Sequence, residues 1–138
     1  MKRSGILNAQ LAGALAGLGH TDTVVLGDCG LPRPDAVPVV DLALTFGVPS
    51  FAQVLQAVVA EIVVEEAAVA RETAEQNPDT AQLLIDQLGE PRWLSHEELK
   101  TESAGARLFI RTGEATPFAN VILTCGVAFS GSGYAGGP

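Results

Sequence analysis

Two histidines, each set among carboxylates and chain-turning residues, are the side chains of this sequence best suited to proton transfer. His20 lies in the run Gly19-His20-Thr21-Asp22, followed shortly by Asp28-Cys29-Gly30-Leu31-Pro32, and His96 lies in Leu94-Ser95-His96-Glu97-Glu98. Imidazole exchanges protons close to neutrality, so it serves as an acid or a base without a cofactor. A helix read as ending at Gly19 would set His20 at the negative end of its dipole, where a proton is held. A capping box of Ser95 and Glu98 would set His96 at the positive end of the next helix, where a proton is released. Brought into one site, the two rings would divide into donor and acceptor. Taken singly, each reads more readily as a solvated or capping loop residue.

Asp28 closes an apolar run, at the strand end where open α/β sheets place ligand contacts, although a turn aspartate bonding its own backbone fits equally well. Phe118-Ala119-Asn120 precedes a further strand. A ring that stacks and an amide that hydrogen-bonds suit a small polyol, while a core ring beside a turn amide is the plainer reading. His20, Asp28 and His96 could instead make a two-histidine, one-carboxylate metal site, but no His-x-Asp spacing marks it. Other chemistries have no signature. Prolines, not a helix, follow Gly27-Asp28-Cys29-Gly30, so this is no dinucleotide fingerprint. Cys29 and Cys125 form neither a redox pair nor a metal-ligand spacing.

The elements that must position these residues alternate in type. Asn8 is placed to cap a helix with Leu11, Ala14, Leu15 and Leu18 on one face, closed by Gly19. Val24-Val25-Leu26 reads as a buried parallel strand, and Gly27 to Pro34 as a turn. Val37 to Leu44 reads as a second strand, broken at Gly47-Val48-Pro49. Ser50 with Gln53 opens a helix through about Val58. Ile62-Val63-Val64 argues for a strand within 59–70, with helix resuming near Arg71. Asn77 and Pro78 start a helix that Gly89 closes after Leu88. Pro91 to Leu94 is a short strand or connector. Leu108-Phe109-Ile110 and Val121 to Phe129 complete the strands. The expected class is α/β: one domain over 1–129 with a largely parallel or mixed central sheet flanked by helices, then a flexible glycine-rich tail over 130–138.

The 138 residues are 47% hydrophobic and only 17% charged, which is apolar for so small a protein. Burial of part of the surface by sister subunits explains this, with an Ala/Val-rich bias as the alternative. A net charge of −8 argues against nucleic acid and anionic membrane surfaces as partners. No apolar run reaches the length of a membrane span, and no leader-type apolar core follows the basic start. With two unpaired-looking cysteines, this points to a cytoplasmic protein with reduced thiols.

Four motifs in fixed order then carry a resemblance. Gly19-His20-Thr21-Asp22, Asp28 to Pro32, Leu94 to Glu98 and the run from Arg111 to Asn120 resemble the ribose pyranase and fucose mutarotase family, from Gly5 to Val127. Gly30-Leu31-Pro32 looks like its ribose branch; the fucose branch usually has His-Phe-Pro there. The resemblance implies cofactor-independent, metal-free exchange between the pyranose and furanose forms of D-ribose. It implies His20 as proton donor, and Asp28, His96, Phe118, Ala119 and Asn120 as contacts to the sugar. It also implies a ring-shaped homo-oligomer, a pentamer or decamer, with sites between subunits. The family usually carries Tyr at the position of Phe118 and Ala at that of Cys29. Loss of the phenol removes a donor and bears on sugar preference. The rival expectations are a mutarotase for another aldose such as fucose, a silent sugar-binding module, and a metal-dependent isomerase.

Overall fold

The structure is a computed structural model and describes residues 1–129. The tail expected over 130–138 lies outside the described residues. In chain order come α1 (Ala9–Ala16), β1 (Thr23–Gly27), β2 (Val39–Asp41), α2 (Phe51–Val59), β3 (Val64–Ala70), α3 (Arg71–Gln76), α4 (Pro78–Leu88), β4 (Arg92–Leu94), α5 (His96–Ser103), β5 (Leu108–Arg111) and β6 (Val121–Cys125). The strands form one mixed sheet in the order β2-β5-β1-β6-β3-β4. β5 pairs in parallel with both β1 and β2, and β3 with β4. β6 runs antiparallel to both β1 and β3, so it is set in mid-sheet against the common direction of the rest. The expected α/β class with a mixed sheet is what the chain adopts.

Alternation along the strands divides the interior into two layers. Val24 and Leu26 of β1, Ile110 of β5 and Leu123 of β6 share one cluster with Leu11, Leu15, Phe51, Leu55 and Leu84 of α1, α2 and α4. Val25, Phe109 and Ile122 point the other way, against Leu94 and Leu99 of β4 and α5. A fully buried Leu or Val at such a position stabilises by about 1.5–3 kcal/mol, so strand register is fixed by the two-sided core. No helix among the described residues is long and apolar enough to cross a membrane.

The caps form as expected. The Asn8 side chain accepts from the Leu11 N–H at 2.9 Å, and Ser50 with Gln53 and Ser95 with Glu98 form complete capping boxes. Asn77 caps α4, with Pro78 at its first position and Gly89 beyond its end. Three bounds differ from expectation. Helix α1 stops at Ala16 with Gly17 as its cap, because the Asp22 carboxylate takes the Gly19 N–H at 2.8 Å and draws Gly19 into the next turn. β2 has three residues, because the Asp41 side chain accepts the Ala43 N–H at 3.0 Å and turns the chain. β6 ends at Cys125, where the Gly126 N–H leaves the ladder for the Val63 carbonyl at 2.9 Å.

Candidate functional site

Asp28 follows β1 directly, and its loop is fastened from below. Buried Thr112 donates its hydroxyl to the Gly27 carbonyl at 2.8 Å, and the Cys29 N–H reaches the Glu114 carbonyl at 2.9 Å. The Asp28 N–H donates to Asn120 Oδ1 at 2.9 Å, joining the end of β1 to the residue that precedes β6. A β-carbon on Gly27 would stand 2.8 Å from Leu31 Cδ2 and 3.2 Å from Asn120 Oδ1, so a side chain there would force Leu31 to shift and crowd Asn120. Burial pushes the Asp28 carboxyl above the usual aspartate value; the Gly30 N–H, the Asn120 amide, the Leu31 N–H and nearby His96 partly oppose it. The carboxylate accepts the Gly30 N–H at 2.9 Å. The buried Asn120 Nδ2 makes no formed hydrogen bond.

His96 is the first residue of α5, as the capping box requires. Its N–H donates to both oxygens of Glu72, at 3.2 and 3.1 Å, so α3 and α5 are tied at the same place. The imidazole meets Phe118 edge to face, with centroids 5.0 Å apart and planes at 89°. Phe118 sits at a φ of +60°, a conformation that costs free energy for a non-glycine residue. Buried Thr73 holds it there by donating to the Phe118 carbonyl at 2.7 Å, and the Asn77 amide holds the Pro117 carbonyl at 2.9 Å. His96 Nδ1 is buried and has no partner, as is Asn120 Nδ2. Buried polar atoms are nearly always hydrogen-bonded. Two such atoms lie together with the partly buried Asp28 carboxylate.

The structure thus brings Asp28, His96, Phe118, buried Ala119 and Asn120 to one end of the sheet. It does not bring His20 there. His20 precedes β1 whereas Asp28 follows it, so five strand residues, about 16 Å at 3.3 Å each, separate the two. His20 also lies four residues past the end of α1, outside the one turn over which a helix dipole acts. Its partner is neither Asp22 nor Asp28 but Glu65 of β3, with Nε2 and Oε2 3.1 Å apart. The metal triad of His20, Asp28 and His96 is likewise not assembled within the chain. Among the described residues no three His, Cys, Asp or Glu side chains gather as a metal site. Sequence reasoning missed Glu72, Thr73 and Glu65, which no motif marks.

A hollow of about 360 Å³ adjoins the same loop, lined by Cys29, Leu44, Phe46 and Arg111 among others. Its charge is already engaged, since Arg111 pairs with Asp41 at 2.9 Å and donates to the Cys29 carbonyl at 3.1 Å. The sheet end with the unpaired buried atoms is the better candidate.

A carboxylate, an imidazole, an amide and an aromatic edge thus gather at one end of a mixed α/β sheet. The chain belongs to the RbsD / FucU transport protein family, whose pattern it matches over residues 1–128. It is 58% identical to D-ribose pyranase 1 of Rubrobacter xylanophilus and 55% identical to D-ribose pyranase of Streptomyces coelicolor, over 94% of this chain and 100% of each relative. Bacillus subtilis RbsD, solved in complex with D-ribose, superposes with a TM-score of 0.89 at 45% identity, over 94% of this chain and 100% of that one. The fucose mutarotase of Streptococcus pneumoniae, solved with L-fucose, shares the fold at a TM-score of 0.74 and 17% identity, over 92% and 99% of the two chains.

Proposed function

We infer that this chain interconverts the pyranose and furanose forms of D-ribose, an isomerisation in the service of ribose metabolism. Relatives named for that activity match it along their whole length and 94% of this chain. The observation that carries the site is the pair of orphaned buried atoms, His96 Nδ1 and Asn120 Nδ2, beside the desolvated Asp28. Ring exchange needs no cofactor by its chemistry. The anomeric hydroxyl loses a proton as the ring oxygen gains one, which opens the hemiacetal to the aldehyde. After rotation, a different hydroxyl adds to the carbonyl carbon, gives up its proton, and the carbonyl oxygen takes one back. Atoms balance, and one donor with one acceptor suffices.

In this reading Asp28 and the His96 and Asn120 nitrogens bind sugar hydroxyls, and Phe118 with Ala119 forms the apolar wall. Asp28, charged and half desolvated, is poised to take a proton. His20 supplies the acid. Because it stands at the far end of its own sheet, it reaches a cleft only from a neighbouring copy. That separation calls for a second copy at each site, which agrees with the ring-shaped homo-oligomer, a pentamer or decamer, that the family resemblance implies. Leu44 and Phe46, 78% and 86% exposed, offer apolar surface for such contacts. A cytoplasmic location fits two free thiols.

The test is exchange between ribose ring forms measured by NMR saturation transfer. His20→Ala is expected to lose ~10²–10⁴ of the catalysed rate, the scale of one general acid or base, while ribose still binds through the other copy's cleft. A variant exchanging at the parent rate would remove His20 from the chemistry. Parallel runs with fucose and galactose, and with chelator, separate a mutarotase for another aldose and a metal-dependent isomerase. Binding with no acceleration would leave a silent sugar-binding module.

A further inference from the structure

We propose that Glu65 is the positioning residue of His20, keeping the proton on Nε2 so that Nδ1 is the nitrogen that gives and takes the proton. This rests on the reading of His20 as the acid. A carboxylate can only accept a hydrogen bond, so the ring nitrogen 3.1 Å from Glu65 Oε2 must carry hydrogen in the neutral and the charged ring alike. The proton that comes and goes is then the one on Nδ1. His20 is about half exposed, which leaves its other edge free for a substrate.

Two further features of the fold serve this contact. Val64 pairs with Cys125 and Glu66 with Thr124, so Glu65 is the extra residue of a β-bulge. Bulges recur beside active sites because they re-aim one side chain out of the strand's alternation. Opposite it stands Gly126, where a β-carbon would lie 3.1 Å from Val63 Cγ1 and 3.4 Å from Glu65 Oε2. A side chain there would press on Val63 and rest against Glu65, so Gly126 packs closely beside the pair.

The histidine is fixed from the same strand end. The Thr21 N–H donates to the Cys125 carbonyl and the Cys125 N–H to the Asp22 carbonyl, each at 2.9 Å. Thr21 is held at a φ of +73°, a strained setting for a β-branched residue. Asp22, the other carboxylate of the turn, is engaged by the Gly19 N–H. Both partners of the His20–Glu65 pair are thus anchored where β6 ends. An exposed ion pair adds little to stability, so orientation is what the arrangement provides.

The experiment joins spectroscopy to kinetics on the full chain. Long-range proton–nitrogen NMR is expected to show neutral His20 of the parent protein as the Nε2–H tautomer, and a mixture in Glu65→Ala. The Ala variant is expected to exchange ribose about ten-fold more slowly at saturation, a fraction of what a general acid contributes, with ribose affinity unchanged. Glu65→Gln, which keeps an accepting oxygen, should recover most of the rate. An Nδ1–H tautomer in the parent protein would overturn the proposal even if the Ala variant failed to fold. So would a folded Ala variant at full rate when His20→Ala is inactive. A fully active His20→Ala protein would instead refute the underlying reading.

Discussion

Asp28 is held in the fold at a cost to stability. Burial raises its carboxyl above the ordinary value of 3.8, so folding holds a proton there more tightly than the unfolded chain does. The native state then binds more protons across that window, and stability falls as pH rises through it. Above the window the cost stays constant. Asp28→Asn keeps an oxygen for the Gly30 N–H and removes the charge, so it should melt at a higher temperature than the parent at pH 7. The gain should shrink as pH approaches 3.8, and the same variant should exchange ribose poorly. A lower melting temperature at neutral pH would make Asp28 a structural residue. Thermal melts across pH, run beside saturation transfer, decide this.

Among elements, α5 shows how local sequence becomes site geometry. Ser95 accepts the Glu98 N–H at 3.1 Å and so makes His96 the first helical residue. Ser95→Ala should cost about 1 kcal/mol of stability and weaken ribose binding as well, since the first turn loosens around His96. Denaturant unfolding and calorimetric titration measure the two effects; loss of stability with undiminished affinity would show that Glu72 alone places the ring. The caps at Asn8, Ser50, Asn77 and Ser95 were legible because donor and acceptor lie three residues apart. The end of α1 was not, since Gly19 is captured by Asp22 within a turn that β6 secures. The same division holds in the site. Type and neighbouring turns leave Asp28 evenly balanced and favour a capping or turn role for His96 and Asn120; the ordered motifs of the family resemblance are what single the three out. Glu65 and Glu72 find their partners 45 and 24 residues away, across a stretch whose strand and helix signals compete.

For the molecule as a whole, the proposed chemistry needs two copies, because His20 and Asp28 stand at opposite ends of β1. His20→Ala and His96→Ala should each be inactive alone. Refolded together in equal amounts, they should regain activity, up to about a quarter of the parent rate if each site draws one residue from each of two copies in a symmetric ring. No recovery in mixed oligomers confirmed by native mass spectrometry would confine the site to one chain.

The reversed strand β6 begins beside Asn120 and ends at the carbonyl that clasps the His20 turn. In the proposed ring it would run from one cleft to the next as a strut of fixed length, buried and paired on both sides. The pitch between neighbouring sites would then be set by five residues of extended backbone, and strain at one sugar would be felt at its neighbour's acid before any loop could absorb it.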